Sequence, residues 1–214
     1  MPNSDVRGQL NYTNSGSGLV NIAADGSRNL LTAQGQPAYL ETARRGGGYT
    51  VQLASGVAPL VAAPTTVAAL ELFNNSATQV LVIRDLFAFR LLGTAAAQTY
   101  SLWAQVTTTK AVPTLTALTL FSMSGKASLT PTAVSDVVTG VGTTVVANGW
   151  RPYGPPVAYV TEAATPMNAF SVEMNGRIIV PRNTSLCLHA VGSTTAGTLI
   201  LGCTYDLVTA TVES

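Results

Sequence analysis

Between Thr99 and Val106 the side chains alternate strictly. Tyr100, Leu102, Ala104 and Val106 fall on one face of an extended chain; Thr99, Ser101, Trp103 and Gln105 fall on the other. A period of two is the signature of a β-strand with one face buried. Similar runs recur at short, turn-separated intervals. Val67–Phe73 alternates and ends at the turn residues Asn74-Asn75-Ser76, and Gln79–Leu92 is long, β-branched and aromatic, ending at Gly93. Ala169–Met174 and Arg177–Val180 flank Asn175-Gly176, a dipeptide that tolerates positive φ, which predicts a hairpin. Ser185–Val191, Thr198–Tyr205 and Leu207–Val212 complete the C-terminal third. Between Thr107 and Pro156 the strand candidates are Leu115–Phe121 and Thr143–Val146. In the same stretch Thr130–Val138 is read as one or two helical turns, and Trp150–Pro156 as a rigid aromatic loop. About eight to ten strands without a long helix predict an all-β fold, a β-sandwich or jelly-roll-like arrangement. No fixed-period repeat points to a propeller or solenoid.

Residues 1–48 read differently. Asn14-Ser15-Gly16-Ser17-Gly18 is linker-like, Arg44-Arg45 runs into three glycines, and the apolar patches between them are short. The expectation is an extended N-terminal arm over 1–48 and a β-sandwich core over 49–214. Such arms order against a neighbour rather than against their own core.

Charge is the outlying compositional number. Of 214 residues, 10% are Asp, Glu, Lys or Arg, where about 25% is usual. Hydrophobic residues make up 47% and the net charge is +1, so the chain has the opposite of a disordered composition. A surface this poor in charge favours association, and much of it is expected to lie in protein–protein contacts. Eleven basic against ten acidic residues argue against nucleic acid, which is bound through clustered Lys and Arg. The most apolar stretch, Val57–Leu70, is interrupted by Pro59 and Pro64 and is too short to span a bilayer. The N-terminus lacks the basic and apolar regions of a secretory signal, so synthesis in a cytoplasm is expected.

Residues that could carry chemistry are sparse. A hairpin of the strands holding Cys187 and Cys203 would place the two sulfurs on opposite sides of the sheet, giving two separate thiols unless a bulge shifts the register. His189, the single histidine, shares a strand face with Cys187, but no third ligand is near for zinc. The reading is a hydrogen-bonded strand histidine. The carboxylates are isolated along the chain, and Arg84-Asp85 reads as a surface or edge pair. No phosphate-cradling loop or dinucleotide fingerprint occurs. No catalytic, cofactor-binding or metal-binding residues are therefore assigned, and the chain is read as non-enzymatic. The interface candidates are Leu19, Val20, Ile22, Leu30, Leu31 and Tyr39 of the arm, with Trp150 and Tyr153 as aromatic anchors.

The run from Gly56 to Asn75, then Val82-Ile83-Arg84-Asp85, then Gly176–Pro181 with Ser185–Ser193, resembles small β proteins encoded among the structural genes of tailed bacteriophages. The likeness covers roughly residues 50–206 and rests on strand-and-turn patterns. It implies a virion component: a capsid decoration or cement protein, assembled in the host cytoplasm and carried in the virion. It implies association with itself, as a homotrimer, and with the major capsid protein or other virion proteins. The arm would add a strand to a neighbour's sheet edge. A tail- or fibre-associated module recognising host glycans is the alternative.

Overall fold

The computed structural model describes residues 11–13, 19–21, 46–92, 97–108, 116–159 and 169–209. The chain divides into two units, 1–40 and 41–214. In the first, β1 (Asn11–Thr13) pairs antiparallel with β2 (Leu19–Asn21).

Among its described residues the second unit is a β-sandwich of ten strands. In chain order they are β3 (Gly48–Gln52), β4 (Val67–Asn74), β5 (Gln79–Leu92), β6 (Gln98–Thr108), β7 (Phe121–Ser122), β8 (Val137–Thr144), β9 (Arg151–Tyr159), β10 (Ala169–Val180), β11 (Thr184–Gly192) and β12 (Thr198–Thr209). One sheet has the order β10-β5-β12-β3-β7 and the other β8-β4-β11-β6-β9. All pairings are antiparallel. β7 and β8 extend one edge of each sheet. Without them the remaining eight strands follow the jelly-roll order, the chain crossing from one sheet to the other at nearly every connection.

The core lies between the sheets. Tyr100, Leu102 and Ala104 of β6 meet Leu70 and Leu72 of β4 and Leu186 and Leu188 of β11; across from them stand Ile83 and Leu86 of β5 and Leu201, Cys203 and Tyr205 of β12. This is the face that the alternation in residues 99–106 predicts. β4 departs from its predicted alternation: every residue from Ala68 to Asn74 is buried, so both of its faces are covered. The turn at its end is as read, with Asn74 fully buried: its Oδ1 accepts from the Ser76 N–H and its Nδ2 donates to the Gln79 and Val180 carbonyls.

Several local expectations are corrected. β11 and β12 are not a hairpin but belong to different sheets. The segment 57–60 stitches that crossing, with Val57 bonded to Leu199 of β12 and Leu60 to Ala190 and Gly192 of β11. Both cysteines are free and buried, as expected, but the separation comes from the sheet change: Cys203 faces the inter-sheet core and Cys187 the far side of its sheet. Asn175-Gly176 has the positive φ values anticipated, 48° and 79°. It forms no hairpin turn, because β10 runs on along β5 and the pair is a bulge between Glu173 and Ile178. Trp150–Pro156 is not a loop: from Arg151 it is β9, an edge strand, where prolines leave no ladder bond unmade. No helix forms at 130–138; Val137 opens β8 instead.

Gly202 marks the tightest backbone approach. A Cβ there would come within 2.6 Å of the Val51 carbonyl oxygen, and closer still to the Phe87 ring. The backbone atom cannot yield as a side chain can. Gly202→Ala should cost about 1–3 kcal/mol, seen as a melting temperature lowered by roughly 2–12 °C at about 2–4 °C per kcal/mol for this size. An unchanged melt would contradict this packing.

Candidate functional site

The outer face of the β8-β4-β11-β6-β9 sheet carries the densest set of polar side chains among the described residues. Antiparallel register puts Cys187 of β11 between Glu71 of β4 and Gln105 of β6, with Ser185 opposite Phe73 and Thr107, and His189 opposite Trp103. The polar face predicted for residues 99–105 should be wet. Only its far end is covered: Gln105 is 3% exposed, with Glu71 of β4 at 1% and His189 of β11 at 4%, while Thr99 is exposed and Ser101 and Trp103 are half-buried.

The cover is a strap, residues 145–150, held down by the side chains of Gln105, Asn148 and Trp150. The Gln105 amide donates from Nε2 to the Val146 carbonyl at 3.0 Å and accepts at Oε1 from the Asn148 N–H at 2.7 Å. Asn148 Nδ2 donates to the Val106 carbonyl, and Trp150 Nε1 to the Thr65 carbonyl. The Trp150 ring closes over Ala68, Val145 and Cys187. Beneath, Glu71 accepts from Ser185 Oγ at 2.6 Å. A buried carboxylate is tolerable when it is hydrogen-bonded in this way.

Burial sets the chemistry of this seam. It pushes the Cys187 thiol well up, and the Glu71 charge pushes it further, so the sulfur stays protonated and is not a nucleophile at neutral pH. Burial also holds His189 below its ordinary 6.5. Its Nδ1 lies 3.0 Å from the Ala190 carbonyl and donates to it in the neutral ring. Cys187 and His189 do share a face, as read, but as a thiol and a neutral imidazole. Among the described residues no three His, Cys, Asp or Glu side chains are grouped to hold a metal, and no helix is long and apolar enough to cross a membrane.

The opposite sheet uses charge inside the fold as well. The salt-bridge partner of Arg84 is Asp206 rather than its sequence neighbour Asp85. Its Nε and Nη2 make a two-pronged salt bridge with Asp206, which is 1% exposed, against the Gly48 backbone. Tyr205 pairs with Ile83 and Thr204 with Asp85, so Arg84 is the extra residue of a bulge. Asp85 instead bonds Thr204; burial pushes its carboxyl up, and Glu173, its register partner on β10, adds to the rise. Arg90 is 2% exposed, with its guanidinium on the Tyr100 hydroxyl.

The described residues include eleven charged side chains, and five of them (Glu71, Arg84, Asp85, Arg90 and Asp206) are buried or half-buried. Six remain exposed: Lys126, Asp136, Arg151, Glu173, Arg177 and Arg182. Against these stand eleven exposed large hydrophobic residues, from Ile179 at 52% to Val134 at 88% among the most open. The candidate functional feature is therefore the charge-poor exposed surface of the described residues.

Of the interface candidates, Trp150 and Tyr153 are half-buried, Trp150 at the end of the strap over Cys187 and Tyr153 against the core. Leu19 and Val20 lie in β2. Ile22, Leu30, Leu31 and Tyr39 lie outside the described residues. Glu71 and Gln105 were missed by sequence reasoning. A lone acid inside the apolar run 67–73 is the one signal that could have pointed to Glu71. Comparison with protein-family models, curated proteins and solved structures gave no match.

Two outcomes follow from the seam. Gln105→Ala should cost about 1–3 kcal/mol and free the strap, so that one thiol per native chain reacts with a thiol reagent where none does in the parent. Two unreactive thiols in the variant would refute the latch. For His189, the folded value lies below the unfolded one, so the unfolded chain takes up the proton first. Its stability contribution is present above pH 6.5 and is lost as pH falls below it. Denaturant melts from pH 7.5 to 5 should show that loss, and His189→Gln should reduce the slope; an identical slope would show that the histidine is not its source.

Proposed function

We propose that this chain is a non-enzymatic structural subunit of a tailed-bacteriophage virion, a capsid decoration or cement protein that binds the head surface as a homo-oligomer. The observation that carries the reading is the balance of the exposed surface, where eleven large hydrophobic residues outnumber six charges among the described residues. Few charges on that surface leave little to hold copies apart. The jelly-roll strand order is an architecture used by viral capsid domains as well as by lectins. The sequence resemblance to phage structural proteins supports the same reading.

In this reading the buried charges brace the subunit, and the neutral exterior mates with capsid subunits by area rather than by ion pairing. A glycan-binding tail module has one observation in its favour: the Trp103 and Trp150 rings are half-exposed. Their indole N–H groups are already donated, to Ser101 Oγ and to the Thr65 carbonyl, which leaves only ring stacking for a sugar.

Electron microscopy of intact particles containing the protein should show its density on the head, across capsomer junctions. Density confined to the tail, together with glycan-array binding that Trp103→Ala abolishes, would replace this proposal with the receptor-binding one.

A further inference from the structure

The sequence holds two Asn-Gly dipeptides, Asn148-Gly149 and Asn175-Gly176. Such a pair carries its own reaction. The glycine nitrogen is a nucleophile within reach of the asparagine side-chain carbon, and glycine has no Cβ to block the approach. Both asparagines are exposed to water, and the two glycines hold nearly the same positive φ, 78° and 79°. What separates the pairs is how each asparagine is held.

Asn148 is pinned at two points. Its N–H donates to Gln105 Oε1 at 2.7 Å and its Nδ2 to the Val106 carbonyl at 3.0 Å. Turning that amide onto the Gly149 nitrogen breaks one bond and pulls on the other. Asn175 has one side-chain contact among the described residues, Nδ2 to Glu173 Oε2 at 3.4 Å, exposed and at the long limit of a hydrogen bond. Its backbone is off the ladder. β10 leaves β5 after Glu173 and rejoins it at Ile178, with only Arg84 opposite the residues between. β10 is also the edge of its sheet, so no described strand flanks the pair on its other side.

We propose that Asn175 is a modification site, where the chain deamidates itself with water while the fold protects Asn148. The Gly176 nitrogen bonds to Asn175 Cγ and passes its proton, through water, to the departing side-chain nitrogen. That nitrogen leaves as ammonia, and a succinimide ring closes. Water then adds to one ring carbonyl and breaks its bond to nitrogen, leaving aspartate or, through the other carbonyl, isoaspartate. One water is consumed and one ammonia released, with no change of oxidation state. Either product replaces a donor facing Glu173 with a carboxylate, and Asp85 stands opposite Glu173 across the ladder. The formal net charge falls from +1 to zero. Charge is one means by which edge strands avoid pairing with other chains, so ageing guards the β10 edge further. The chemistry does not depend on the structural-subunit reading.

Peptide mapping by mass spectrometry, on the full chain aged in mildly alkaline buffer, tests the assignment. The same chain aged in urea sets the unprotected rate at each position. Folding should slow position 148 about tenfold more than position 175, because hydrogen bonds must break at Asn148 first. Gln105→Ala, which removes one of those bonds, should bring 148 toward the rate at 175. On isoelectric focusing the aged parent should gain an acidic band that aged Asn175→Gln lacks. Position 175 left intact in the folded chain, or an equally strong acidic band in Asn175→Gln, would overturn the site. Equal slowing of both positions on folding, or a position 148 that stays slow in Gln105→Ala, would overturn the selection by hydrogen bonding.

Discussion

The apolar contact between the two sheets is what the rest of the molecule leans on. Because the chain changes sheet at nearly every connection, no strand pair adjacent in sequence can bury its apolar face locally. Tyr100, Leu102, Leu186 and Leu188 are useful only when Ile83, Leu201 and Tyr205 arrive from the other layer. That makes the central strands β4, β11 and β12 nearly fully buried, and it forces the outer face of β4 and β11 to be covered as well. The strap latched by Gln105 is that second cover. It also keeps Cys187 dry and protonated.

The allocation of charge follows from the same demand. A sandwich with both faces of its middle strands buried must either exclude charge there or pin it. Glu71 is pinned by Ser185 and Asp206 by Arg84. A bidentate guanidinium–carboxylate pair is among the stronger polar contacts available, and breaking one partner of such a buried pair is costly. With only 10% of residues charged, each one held inside is one missing from the exterior. Among the described residues, five of the eleven charged side chains are thus withdrawn from full exposure.

How much of this was legible depended on range. The face assignment in residues 99–106 and the turn at Asn74-Asn75-Ser76 are local, and both stand. The positive-φ character of Asn175-Gly176 was legible too, but whether such a pair turns the chain back or kinks it onward depends on β5 offering a partner on both sides of the bulge. Adjacent strands 185–191 and 198–205 looked like a hairpin for the same reason: nothing in either strand says that residues 57–60 will stitch them into different layers. Arg84 sits beside Asp85 in sequence, yet a bulge and a strand 122 residues away decide its partner. Gln105 as a latch was illegible because the strap it holds is set by nonlocal packing.

The central claim is that copies of this protein meet through uncharged surface, so the most direct measurement is the sedimentation of the full chain as a function of salt. Between about 0.05 and 1 M sodium chloride the screening length falls several-fold to roughly 3 Å, which weakens contacts held by exposed charge and spares those held by apolar area. The account predicts oligomers that persist unchanged, or tighten, across that range. Oligomers that fall apart as salt rises, or a protein that sediments as a monomer at every concentration, would contradict it.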